Sequence, residues 1–265
     1  MKKMALLLMV VIVTVSCKKN DDDATPQNVT VDFTFTHNWD GDAIENADFD
    51  VLQYNNAHGE QLSLSKLVYL ISDVTFINEN GEMFDAGDYN LIDVRGGTNL
   101  TFTPNIEIPE GTYTVSFTFG FDDEDNTLNY QDLNSSDGGW NVPDPLGGGY
   151  HYMRMEGKYI NSVGVPTEVN FQYHTIRANK HSSLPPGPGT LESTLDTSFL
   201  VNLGQITIGS NTNVEVKMNV GEWFKNPNTW DLTVLYQTLM PNYAAQLLMN
   251  ENGKNGVFTL GTVNQ

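Results

Sequence analysis

Thiols are almost absent from this 265-residue chain, which has a single cysteine, Cys17. One thiol cannot form an internal disulfide or a zinc–thiolate cluster, and once acylated it leaves none for catalysis. Basic residues are also scarce, with 13 Lys and Arg against 33 Asp and Glu and a formal charge of −20. Such a surface repels nucleic acid and anionic lipid and attracts cations. Long apolar runs are missing too. The longest, residues 5–15, is too short for the roughly 20 residues a membrane-spanning helix needs. No serine nucleophile elbow, His-Glu-x-x-His pair or phosphate-binding glycine loop occurs, and Gly147-Gly148-Gly149 precedes a predicted strand rather than a helix. No enzymatic activity is therefore expected.

The N-terminus carries an address. Met1-Lys2-Lys3, the apolar run and then Ser16-Cys17 read as a signal peptide over residues 1–16. A cysteine in that place resembles a bacterial lipobox, with Cys17 carrying the acyl chains. Residues 17–28 are then the lipidated cysteine and a tether whose Lys18-Lys19-Asn20-Asp21-Asp22-Asp23 resembles the surface-export signal of Bacteroidota lipoproteins. The expected location is the outer membrane, facing the periplasm or the cell surface, on a lipid anchor that does not span the bilayer.

Beyond the tether, apolar residues recur with period two. Val29, Val31, Phe33 and Phe35 alternate with polar neighbours, as do Tyr113, Val115, Phe117, Phe119 and Phe121. Val169, Phe171 and Tyr173, then Val214, Val216 and Met218, repeat the pattern, and residues 67–77, 150–159, 200–208 and 257–263 are further strand candidates. Breaks such as Asn80-Gly81 and Gly209-Ser210-Asn211 separate them. The expectation is an all-β, antiparallel β-sandwich over residues 29–265 with long loops and one short C-terminal helix at residues 241–249, its buried stripe formed by Tyr243, Ala244, Leu247 and Leu248. Two excursions, residues 122–149 and 181–190, are long enough to carry function.

Five histidines supply the clearest chemistry. Neutral imidazole is a natural ligand for copper, nickel or zinc, and no thiolate competes with it here. His37, His151 and His174 stand at the ends of predicted strands, with His151 placed on the same strand face as Met153 and Met155. His58 and His181 read as turn residues. Asp122, Asp123 and Asp125 offer hard oxygens of the kind calcium takes, without the spacing of an EF-hand. Arg154 and Glu156 share a face and suit a structural ion pair.

The run Gly138-Gly139-Trp140 followed by Gly148-Gly149-Tyr150-His151-Tyr152-Met153-Arg154-Met155-Glu156-Gly157 resembles the tryptophan-then-GY-x-x-x-x-x-EG signature of MbnP-like copper-binding proteins. Leu67-Val68-Tyr69-Leu70-Ile71-Ser72, Phe117–Phe121, Phe171-Gln172-Tyr173-His174, residues 240–252 and Phe258 fit the same pattern in order. The chain departs from it in continuing as Thr175-Ile176 and in placing Gln237-Thr238, rather than a histidine, before Leu239-Met240. The resemblance implies a β-sandwich and copper held by histidines, here His174 with His37 or His151. It further implies Trp39 or Trp140 as the tryptophan that characterised members convert to kynurenine. The expected function is copper capture, storage or delivery, with a metal-delivery or surface protein as partner. The alternative is a non-catalytic module that grips a glycan or a partner protein through loop tryptophans.

Overall fold

The computed structural model describes residues 27–265. Cys17, the apolar run before it and the tether up to residue 26 lie outside them.

The alternating segments become strands that bury one face. Eight of them frame the fold: β1 (Asp32–Trp39), β2 (Gln61–Asn78), β3 (Gly111–Phe119), β4 (Met153–Asn161), β5 (Thr167–Thr175), β6 (Phe199–Ile208), β7 (Asn213–Asn219) and β8 (Phe258–Asn264). The larger sheet runs β5-β4-β2-β3-β6, with short strands Tyr54–Asn55, Met83–Asp85 and Tyr89–Asp93 paired along β2. The smaller runs β8-β7-β1 and ends on Asp42–Ala43. Their inner faces meet through aromatic rings. Phe35 of β1 reaches Tyr69 of β2 at 6.4 Å and Phe117 of β3 at 6.3 Å, and Phe258 of β8 packs on Phe117 at 5.5 Å. These T-shaped contacts suit the ring quadrupole, and the burial behind them drives the two sheets together.

The sandwich differs from the expected all-antiparallel arrangement in one pairing. β1 and β7 run parallel, from Asp32 opposite Asn213 to Asn38 opposite Asn219. Alternation reports which face of a strand is buried and carries no information on its direction.

The helix α1 (Tyr243–Gly253) is capped by Asn242, whose side chain accepts from the Ala245 amide. Its buried face differs from the expected stripe: Ala245, Gln246, Met249 and Asn252 are buried, while Ala244 is exposed. The reason is polar. Gln246 donates to the carbonyls of His174 and Leu239 and accepts from the Ile176 amide, and Asn252 donates to the Trp223 and Asn228 carbonyls. Backbone groups at loop ends must find partners, and two amide side chains do so by turning inward. Among the described residues no helix is long and apolar enough to cross a membrane.

Two glycines of the signature have separate jobs. At Gly157 a Cβ would stand 1.9 Å from the Ser63 carbonyl oxygen, so only glycine lets β4 approach β2 there. At Gly149, φ is +77° and a Cβ would collide with the Asn126 side chain, which instead accepts from the Tyr150 amide.

Candidate metal centres

The long excursion exists to carry Trp140 to the edge of β4. Asn126 anchors it by bonding the Tyr152 hydroxyl and the Tyr150 amide, and an isolated bridge joins Asn141 to Tyr150. Trp140 is thereby buried beside His151, their ring centroids 5.7 Å apart.

His151 does not share the face of Met153 and Met155. β4 starts at Met153, and the chain before it bends to bond Trp140, so the alternation is broken at His151. The side chain comes instead to the face of Arg154, which lies opposite His174 in the β4–β5 register. The His151 and His174 rings meet edge to face at 5.5 Å.

The hydrogen bonds around His151 decide its tautomer. Nδ1 lies 2.9 Å from the Trp140 carbonyl, which can only accept, so Nδ1 carries the proton. Arg154 stands 3.2 Å from the same nitrogen but donates to the Gly139 carbonyl and covers the Trp140 ring at 4.9 Å. Nε2 is left with its lone pair, facing the Met240 sulfur at 3.2 Å. Burial, then the Arg154 charge, holds the imidazole neutral by lowering its pKa to about 3, against the smaller opposing pull of the Trp140 carbonyl. His174 is oriented from its other side. Its Nε2 meets Glu156 Oε1 at 2.9 Å, and that bond holds the Glu156 carboxyl below its usual range. Gln246 fixes the His174 carbonyl and, through Leu239, the residue beside Met240.

His37 lies elsewhere, between the sheets. Its Nε2 meets the Tyr69 hydroxyl at 3.0 Å, and burial lowers its pKa to about 4. Trp39, two residues on, stacks on Tyr54 at 4.8 Å and donates to the Asn55 carbonyl. His37, His151 and His174 do not gather their ligand atoms into one cluster. Nor do Asp122, Asp123 and Asp125: Asp122 accepts from the Glu124 and Asp125 amides, Asp123 pairs with Arg177 at 2.6 Å, and Asp125 accepts from the Tyr130 hydroxyl.

Among the described residues, one group of three His, Asp or Glu side chains has ligand atoms within 4.8 Å of one another: His58, Glu60 and Asp231. It is a cluster able to coordinate a metal ion. His58 Nδ1 is 2.6 Å from Glu60 Oε1 and 3.7 Å from Asp231 Oδ1. The bond to Glu60 raises the His58 pKa. Burial pushes Asp231 upward, but the Thr233 hydroxyl and amide and the His58 charge outweigh it and hold the carboxyl below its usual range. From the sequence His58 reads as a turn residue. It is one, and the turn is what delivers it. Met240 also went unmarked, since a methionine ahead of a helix carries no signal by itself.

All four tryptophans are buried, so none presents a stacking face to a glycan.

The sequence model of MbnP matches residues 28–241. The chain belongs to the MbnP family. MbnP from Methylosinus trichosporium, among solved structures, superposes with a TM-score of 0.52 at 15% identity, covering 89% of this chain and 99% of that one. No curated protein matches the chain. MbnP-family proteins are non-catalytic binding proteins, which agrees with the lack of catalytic motifs. The MbnP match spans β1 to Met240, and so includes both histidine pockets and the His58 cluster.

Proposed function

We propose that this MbnP-family protein binds copper outside the cytoplasm, through His151, His174 and Met240. The observation that carries the reading is the pair of soft donors, the bare Nε2 of buried His151 and the sulfur of half-buried Met240, facing each other at 3.2 Å. Neutral imidazole with thioether sulfur favours the cuprous ion over zinc, magnesium or calcium. The partners behind the rings agree with that chemistry, since the Trp140 carbonyl and Glu156 orient one imidazole each. When bound, copper supplies a soft cation and no reaction; the protein's part is to hold and exchange it. The negative surface raises the local cation concentration around the pocket.

The same reading takes Cys17 as lipidated and the protein as an outer-membrane lipoprotein of the Bacteroidota type, handing copper to or from a partner protein. Trp140 is the better placed of the two tryptophans for conversion to kynurenine, because it flanks His151 directly and its indole N–H has no hydrogen-bond partner. That conversion needs a separate oxidising enzyme.

Cuprous titration of the metal-stripped protein against a chromogenic chelator tests the site, with intact mass measured on protein from its native host. About one copper per chain, lost in His151→Ala and weakened in His174→Ala, is the expected result. Unchanged affinity in both variants, or no stoichiometric binding by the parent chain, overturns it.

A further inference from the structure

We infer that His58, Glu60 and Asp231 form a second metal site, separate from the copper pocket, for a divalent cation of the zinc type. Proximity alone does not carry this. Glu60 is only 7% exposed, and its Oε1 is taken by His58, yet its Oε2 is buried with no hydrogen-bond partner. A buried carboxylate oxygen without a partner is costly, and native structures rarely tolerate one unless an ion or a water completes it. Here the neighbours within reach are an imidazole and a second carboxylate, both ligand types.

The donor set selects the ion. One imidazole and two carboxylates are ordinary zinc ligands, and two negative charges balance a dication. These three ligands include no sulfur of the kind that favours cuprous copper. Calcium takes six to eight oxygens and does not seek imidazole. Zinc bonds of about 2.0–2.2 Å set tetrahedral ligand atoms roughly 3.3 Å apart. The separations of 2.6 and 3.7 Å around His58 Nδ1 lie on either side of that value. Binding therefore replaces the proton shared between His58 and Glu60 Oε1 by the cation, to which the same carboxylate can add its unpartnered Oε2.

The scaffold is built before any ion arrives. Asn56 closes the turn by accepting from the Gly59 and Glu60 amides, and its side-chain nitrogen donates to the Trp230 carbonyl across 174 positions of sequence. Asp231 is held on the opposite side by the Thr233 amide and hydroxyl. A bound cation clips the turn before β2 to the loop after Trp230.

The test is calorimetric titration of the purified, chelator-stripped full chain with zinc chloride, with thermal melts of each variant alongside. The parent chain is expected to bind one zinc with Kd of about 10 μM or tighter. Glu60→Gln, Asp231→Asn and His58→Gln are each expected to weaken it by about tenfold or more, while His151→Ala leaves it unchanged. Asp231 and His58 are partly exposed, so those two variants decide the matter even where Glu60→Gln fails to fold. Zinc binding that is absent below about 1 mM overturns the site. So does zinc binding that survives Asp231→Asn and His58→Gln but disappears in His151→Ala.

Discussion

His151 and His58 show one side chain in two opposed settings. His151 is buried beside a thioether and an arginine and is held neutral; His58 stands with 44% of its side chain exposed between two carboxylates, which favour its charged form. The first offers a bare nitrogen at all times, next to a soft atom. The second offers its nitrogen only when a cation displaces a proton. Burial and partner, rather than residue type, therefore set the two histidines apart, and on the readings proposed above they suit one to a soft monovalent ion and the other to a borderline divalent one.

Removing a ligand is the strongest way to break that contrast. His151→Ala should abolish stoichiometric copper binding, and Met240→Leu should weaken it by about tenfold while leaving zinc binding untouched, as read by chelator competition. Acid is the next lever, acting on a third histidine. The folded pKa of His37, about 4, lies below its unfolded value near 6.5, so the unfolded chain binds more protons in that window. Its contribution to stability is intact above pH 6.5 and is lost as the pH falls toward 4, by up to about 3 kcal/mol. His37→Gln should flatten that part of a urea-midpoint profile measured against pH.

Gln246→Ala is expected to cost about 2 kcal/mol in urea unfolding, because three backbone groups lose a buried partner at once. Copper affinity should fall with it, since His174 and the Leu239–Met240 segment are both held by that amide. The smallest effect belongs to the turn. In metal-free protein His58→Gln should cost about 1 kcal/mol or less, because the glutamine amide can still donate to the buried Glu60 carboxylate, so any larger change appearing only with zinc present reports the ion.

The strands were legible because burial on one face writes period two into the sequence, and β3 and β5 lie within two residues of where Tyr113–Phe121 and Val169–Tyr173 point. Family membership was legible in the Gly149–Gly157 run, whose end glycines are forced by the Ser63 carbonyl and the Asn126 side chain. The parallel pairing of β1 with β7 was not, since strand direction leaves no local trace. His151 was found, but its face was misjudged, because the bend that turns it toward Arg154 is made by bonds to Trp140 in a distant loop. Met240 and His58 became visible only when the chain folded back on itself. The helix face was hidden for a different reason: Gln246 and Asn252 are buried for their hydrogen bonds, and a search for an apolar stripe passes over them.

The parallel pair also orders the birth of the molecule. Thr34 bonds Asn213, 179 positions away, and β1 finds its main partner in β7. A chain synthesised from its N-terminus carries one open edge of β1 until about four-fifths of its length has been made. Any nascent fragment that stops short of Asn213 therefore displays an unpaired strand, ready to be captured by a chaperone or by a second fragment like itself.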